Sequence, residues 1–165
     1  MIVQRETPRQ AKSVYAVTAA AFDRPAEADL VDELRRSDAW LPRLSLVALD
    51  GDDVIGHVLC TRAHVASAPV LGLGPLSVHP DHQGRGVGSA LVHAVLGAAD
   101  ALDEPLVVLL GDHRYYTRFG FRLAETYGIT PPVPSWRPHF QARPLATFSS
   151  ALHGEFAYAE PFNRV

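Results

Sequence analysis

Residues 76–89 constrain the chain more than any other stretch. Leu76-Ser77-Val78-His79 alternates as a strand does, Pro80-Asp81-His82-Gln83 breaks the pattern, and Gly84, Gly86 and Gly88 then occupy every second position up to Ser89. From Gly86 the apolar period becomes helical, and Val87, Leu91, Val95, Ala98 and Leu102 form one stripe over Gly86–Leu102. A strand that hands over to an amphipathic helix through so short a loop needs a sheet with helices packed on it, which excludes all-helical and all-strand architectures. Glycines at this spacing allow positive φ and close approach by a ligand, because no Cβ stands in the way.

The rest of the chain agrees with that class. Ile2–Arg5 reads as a short strand, and Thr7-Pro8 opens a helix with Val14, Val17, Ala21 and Phe22 at helical spacing. Ala26–Arg36 reads as a second helix, acidic at its start and ending in Arg35-Arg36, as the helix dipole favours. Leu44–Leu49 and Val54–Thr61 are strand-like and flank Asp50-Gly51-Asp52-Asp53, a hairpin signal. Val70–His79 is a third strand, in which Gly72, Gly74 and Pro75 predict a bulge. Leu106–Leu110 is uniformly apolar, as in a strand covered on both faces. His113–Phe119 predicts a short helix capped by Gly120. Phe121–Ala124, Gln141–Ala146 and Glu155–Ala159 are further strand candidates, and Pro-rich Thr130–Pro138 reads as a loop. No repeat or internal boundary is visible. The expectation is one domain over residues 1–165, of mixed α/β (α+β) class.

Composition narrows the function. A net charge of −3 and a sequence pI near 6.2 give no basic footprint for nucleic acid. No apolar run reaches the roughly 18 residues of a membrane span, and Met1–Thr7 carries no signal core, so a cytoplasmic setting is expected. Cys60 is the only cysteine, which leaves no intrachain disulfide and no cysteine-rich zinc motif. The 8 histidines include no pair at helical metal-binding spacing, so no metal is expected.

A glycine loop followed by a helix start is an anion site, with unpaired N–H groups and about half a positive charge from the helix dipole. A Walker loop would end in Gly-Lys-Ser/Thr and a dinucleotide fingerprint would read Gly-x-Gly-x-x-Gly; neither fits. Gln83-Gly84-Arg85-Gly86-Val87-Gly88 instead resembles the pyrophosphate signature of the GCN5-related N-acetyltransferases. Leu76-Ser77-Val78-His79-Pro80 is similar to the strand of that motif. Tyr115-Tyr116-Thr117-Arg118-Phe119-Gly120-Phe121 resembles the family's Tyr-x-x-x-Gly-Phe element. Leu73-Gly74-Pro75-Leu76 and Leu110-Gly111-Asp112 look closest to one bacterial subgroup.

The resemblance implies a mixed, mostly antiparallel sheet splayed at the bulged strand, with helices on both faces. It implies acetyl-CoA as co-substrate, with an amine on a small molecule or protein as acceptor. Backbone groups of Leu76 and Val78, with Ser77 between them, would pair with pantetheine, and one amide there would polarise the thioester. Gln83, Gly84, Arg85, Gly86, Val87, Gly88 and Ser89 would hold the pyrophosphate, and Tyr116 would protonate the leaving thiolate. Glu27, His57, His64, His79 and water remain candidates for the general base. Cys60 reads as a buried strand residue rather than a nucleophile. A non-catalytic acyl-CoA module, another acyl donor or a hydroxyl acceptor are the rival readings, and a homodimer is left open. The acceptor pocket is expected from loops such as Arg24–Asp29 and Thr130–Pro138.

Overall fold

The turn at Gly51-Asp52 sets the register of the sheet. Gly51 takes φ +59, a left-handed value that suits glycine. It closes a hairpin between β2 (Ser45–Asp50) and β3 (Asp53–Val65), with Asp50 opposite Asp53. A computed structural model describes residues 1–165. Besides these strands it contains β1 (Ile2–Arg5), α1 (Ala11–Phe22), α2 (Ala26–Arg35), β4 (Ala68–Val78), α3 (Val87–Ala101), β5 (Leu106–Leu110) and α4 (His113–Tyr116). β6 (Arg122–Leu123), β7 (Ile129–Thr130), β8 (Phe140–Pro144) and β9 (Gly154–Ala157) complete the element order. No helix is long and apolar enough to cross a membrane.

The sheet runs β1-β2-β3-β4-β5-β8-β6, and β9 pairs with the far end of β3 and with β7. Along that path every neighbour pair is antiparallel except β4–β5, which is parallel. β3 extends past the expected Thr61 because Ala63 and Val65 continue the buried alternation beneath β9. Thr130–Pro138 is less irregular than expected: β7 enters it, and a 3₁₀ turn spans Pro134–His139.

Helices cover both faces, as the resemblance implies. α3 lays Val87, Leu91, Val95 and Ala99 on Val58, Cys60, Leu71 and Val107, whereas of the expected stripe Ala98 is only partly buried and Leu102, past the last turn of the helix, is exposed. On the other face Val14 of α1 and Leu30, Val31 and Leu34 of α2 pack against Val47 and Leu59. Each fully buried leucine contributes roughly 1.5–3 kcal/mol through removal from water. Phe22, expected on the buried stripe of α1, is instead 37% exposed. It stands at the end of the helix, beyond the edge of the sheet core, and lines a cleft.

The splay has a local cause. Leu59 of β3 faces two residues of β4, Gly74 and Pro75, so the bulge falls just beyond Gly72-Leu73. Gly74 adopts φ +128, and Pro75 has no N–H to offer a neighbour. Beyond the pairs Leu71–Val107 and Gly72–Val108, β4 and β5 pair no further. Tyr158 fills the crotch: a Cβ on Gly72 would lie 3.0 Å from its ring.

Candidate active site

The open edge of β4 can be read atom by atom. His79 donates its N–H to the Ile55 carbonyl at 2.8 Å, and the register continues as Gly56–Val78, His57–Ser77 and Val58–Leu76. Antiparallel pairing bonds every second residue to a given neighbour. Ser77 therefore spends its main-chain groups on β3, whereas those of Leu76 and Val78 face the splay. The Ser77 hydroxyl lies 3.1 Å from that of Thr18 on the opposite face of the sheet. Ser77, expected to share in the site, has neither its side chain nor its main chain directed into it, because β4 alternates.

At the end of β4 the loop turns back on itself. The Gln83 side-chain amide donates to the Val78 carbonyl at 3.1 Å. His79 Nδ1 accepts from the Asp81 N–H at 3.2 Å, so this histidine caps the Pro80–His82 turn. Gly84 and Gly86 hold φ +73 and +84. Gly86 caps α3, and its carbonyl receives the first helical bond, from Ala90 at 3.0 Å. The N–H groups of Val87, Gly88 and Ser89 are thereby free to meet an anion. Gly88 is constrained by space instead: a Cβ there would lie 2.7 Å from the Tyr115 hydroxyl. Leu76, Val78, Gln83, Gly84, Gly86, Val87, Gly88 and Ser89 line one cleft of about 490 Å³ with Phe22, Tyr115 and Arg118. Arg85 is exposed and stands outside that lining. The Arg118 guanidinium, unnoticed in the sequence, sits 4.8 Å from the Tyr115 ring centroid and adds positive charge.

Tyr116 occupies the other end. Its ring packs against Gly111, where a Cβ would lie 2.7 Å from Cε2, and against Tyr115 and Phe121 at 4.9 and 5.7 Å. The Asp112 carboxylate starts this turn by accepting the Arg114 N–H at 2.9 Å, and Gly120, at φ +87, ends it. Burial, and secondarily Tyr115, pushes the Tyr116 hydroxyl well above the ordinary phenol range. Tyr116 is therefore protonated at neutral pH. It lines a second cleft of about 460 Å³ with Leu73, Gly74, Pro75, Leu76, Glu27, Trp136, Tyr158 and Phe162. The two clefts share Phe22 and Leu76, so they form one groove along the open edge of β4.

Of the four candidate bases, only Glu27 lines the Tyr116 cleft. Its carboxylate is buried and accepts from Arg24 Nε at 2.9 Å. His57 is fully buried on the α1–α2 face, 2.8 Å from the Ser45 hydroxyl and 3.5 Å from Glu6. His64 is exposed at the far end of β3. Cys60 is buried, and burial pushes its thiol above the ordinary range, which disfavours the thiolate a nucleophile needs. Trp136, Tyr158 and Phe162 were not singled out in the sequence, since nothing local marks an aromatic as lining a cleft.

The fold has known counterparts. The model of the acetyltransferase (GNAT) family matches residues 12–121. The uncharacterised N-acetyltransferase YhbS of Escherichia coli is 34% identical, covering 99% of both chains. The crystal structure of E. coli YhbS in complex with CoA superposes with a TM-score of 0.93 at 32% identity, covering 99% of this chain and 92% of that one. A GNAT family acetyltransferase from Brucella melitensis, in complex with acetyl-CoA, gives 0.82 at 32% identity, with 98% and 97% covered. With the family's motifs set on one groove of the family's fold, this chain is a GNAT-family N-acetyltransferase.

Proposed function

We propose that this chain moves an acetyl group from acetyl-CoA directly to an amine, along the groove between the glycine loop and Tyr116. The observation that carries the reading is that β4 leaves the main chain of Leu76 and the N–H of Val78 without a strand partner, between a helix start with free N–H groups and the half-buried phenol of Tyr116. Relatives with the same fold bind CoA and acetyl-CoA, which supports that choice of donor.

Each residue then has a chemical task. The loop Gln83–Ser89 binds the pyrophosphate through the free N–H groups at the start of α3, and Arg85 and Arg118 add charge from the rim. Leu76 and Val78 pair with the pantetheine amides as an added strand would. An N–H of this strand, aimed at the thioester oxygen, favours the charge that develops there by about 3 kcal/mol. Tyr116 gives its proton to the sulfur as the C–S bond breaks. The attacking amine approaches from the Glu27 and Trp136 side.

Thiol release from acetyl-CoA across an amine panel, together with calorimetry of CoA binding, tests this. Amine-dependent release is the expected result. CoA binding without release on any amine would mean a binding module, and release on alcohols alone would mean an O-acyltransferase.

A further inference from the structure

The wall of the groove beyond Tyr116 is mostly apolar, with Leu30, Leu73, Pro75, Leu109, Trp136 and Phe162 in it. Part of it is a fixed aromatic surface: Tyr158 stacks on Phe162 at 4.5 Å and 27°, and Trp136 meets Tyr158 edge-on at 6.3 Å. Two acids face this space. Asp112 is exposed at the mouth and is already engaged by Arg114. Glu27 is 7% exposed and reaches in from the first turn of α2.

A carboxylate buried that deeply needs a cation beside it. Arg24 supplies one, but through a side chain that is 60% exposed and reaches in from solvent. Arg24 can turn back into solvent when another cation replaces it, so the exchange strands no charge on its side. An ammonium delivered along the groove can take its place without leaving Glu27 unpaired. Between the aromatic walls no charged side chain but Glu27 is in reach, since Asp112 stands out at the mouth, so a polar body lying there would lose its water for nothing.

We infer that the acceptor is a primary monoamine carried on an apolar body, aromatic or branched-alkyl. Glu27 draws in its ammonium, which gives one proton to water before the freed nitrogen attacks the thioester carbon, and the body lies between Trp136 and the Tyr158–Phe162 stack. This rests on the acetyl-transfer reading above and narrows it to a substrate class.

The test uses the full chain with acetyl-CoA and a panel of phenethylamine, isoamylamine, putrescine, spermidine, an aminoglycoside and a short peptide with a free N-terminus. The two apolar monoamines should exceed the others in kcat/KM by about tenfold or more. Glu27→Gln should raise KM for the preferred monoamine by about tenfold, change kcat less, and leave CoA affinity by calorimetry unchanged. Phenethyl alcohol separates recognition of charge from mere shape. As an inhibitor it should bind Glu27→Gln as well as it binds the unaltered chain. Trp136→Ala should weaken amine and alcohol alike. A preference for polyamines or aminoglycosides, or an unchanged KM in Glu27→Gln, overturns the inference while acetyl transfer stands. A chain that does not bind acetyl-CoA at all removes both.

Discussion

Single residues carry the chemistry, and two substitutions separate its parts. Tyr116→Phe keeps the ring on Gly111 and removes only the hydroxyl. Because the proton is needed only as the C–S bond breaks, kcat should fall roughly 10²-fold while CoA affinity is retained, as steady-state kinetics and calorimetry will report. Full turnover in Tyr116→Phe would remove the proton-donor role. Tyr115 is an imperfect control, since its hydroxyl lies over Gly88 in the phosphate cleft. Gly86→Val tests the loop. At φ +84 a β-branched side chain costs on the order of 1–3 kcal/mol, and the loop must shift to relieve it. CoA binding should weaken at least about tenfold in a protein with an unchanged circular dichroism spectrum. Equal affinity would dissociate the loop from the phosphates.

Among the elements, the pair β4 and β5 decides whether there is a groove at all. The bulge at Gly74-Pro75 ends the regular ladder, and Tyr158, delivered from beyond β9, fills the crotch where the strands part. Burial pushes the Tyr158 hydroxyl up, and the Leu110 N–H near it only partly offsets this. The ring therefore bridges from Gly72 on β4 to Leu110 on β5. Tyr158→Ala should cost about 3 kcal/mol in denaturant unfolding and should raise acceptor KM, whereas Tyr158→Phe should retain most of the stability. If the alanine variant unfolds at the same urea concentration as the unaltered chain, the wedge is not structural.

Across the whole molecule, a buried polar chain ties β1, β2, β3 and α2 together. Glu6 accepts from the Ser45 hydroxyl and Arg35, Arg35 also pairs with Asp32, and His57 lies against Ser45 and Glu6. Burial pushes the His57 imidazole below its ordinary value, against the pull of Glu6. Burial raises Glu6, but its hydrogen bonds with His57 and Ser45 and the nearby cationic charge outweigh that and leave it lowered. Both signs point the same way. Below about 6.5 the unfolded histidine takes a proton that the folded one refuses, and stability falls with pH until the folded value is reached. Below about 4.5 the unfolded Glu6 is protonated first, and its contribution is lost as pH passes through its lower folded value. Urea midpoints should therefore drop between about pH 7.5 and about pH 5.5, and His57→Gln should flatten that part of the slope. An equal slope in the variant would assign the effect to other groups.

What the sequence determined by itself was everything written in local periodicity and in backbone need. The hairpin at Gly51, the α3 stripe, the cap at Gly120 and the glycine loop each follow from neighbours within a few residues. So did the expectation that Gly72, Gly74 and Pro75 would break β4, although the bulge itself settled at Gly74-Pro75. Only the tertiary structure decided which way residues point and what they meet. Ser77 reads like its neighbours, but strand alternation and register turn it toward Thr18. Glu27, His57, His64 and His79 are equivalent as sequence, since each is a polar residue on a helix, strand or turn. Packing buries His57 with Glu6, exposes His64, uses His79 as a cap and leaves Glu27 facing the groove. Trp136 and Tyr158 come from segments about twenty residues apart, and their meeting depends on the long-range pairing of β9 with β3 and β7. Local sequence sets the backbone's allowed shapes, but a pocket is made where distant segments converge, and that convergence is chosen by burial of the whole core.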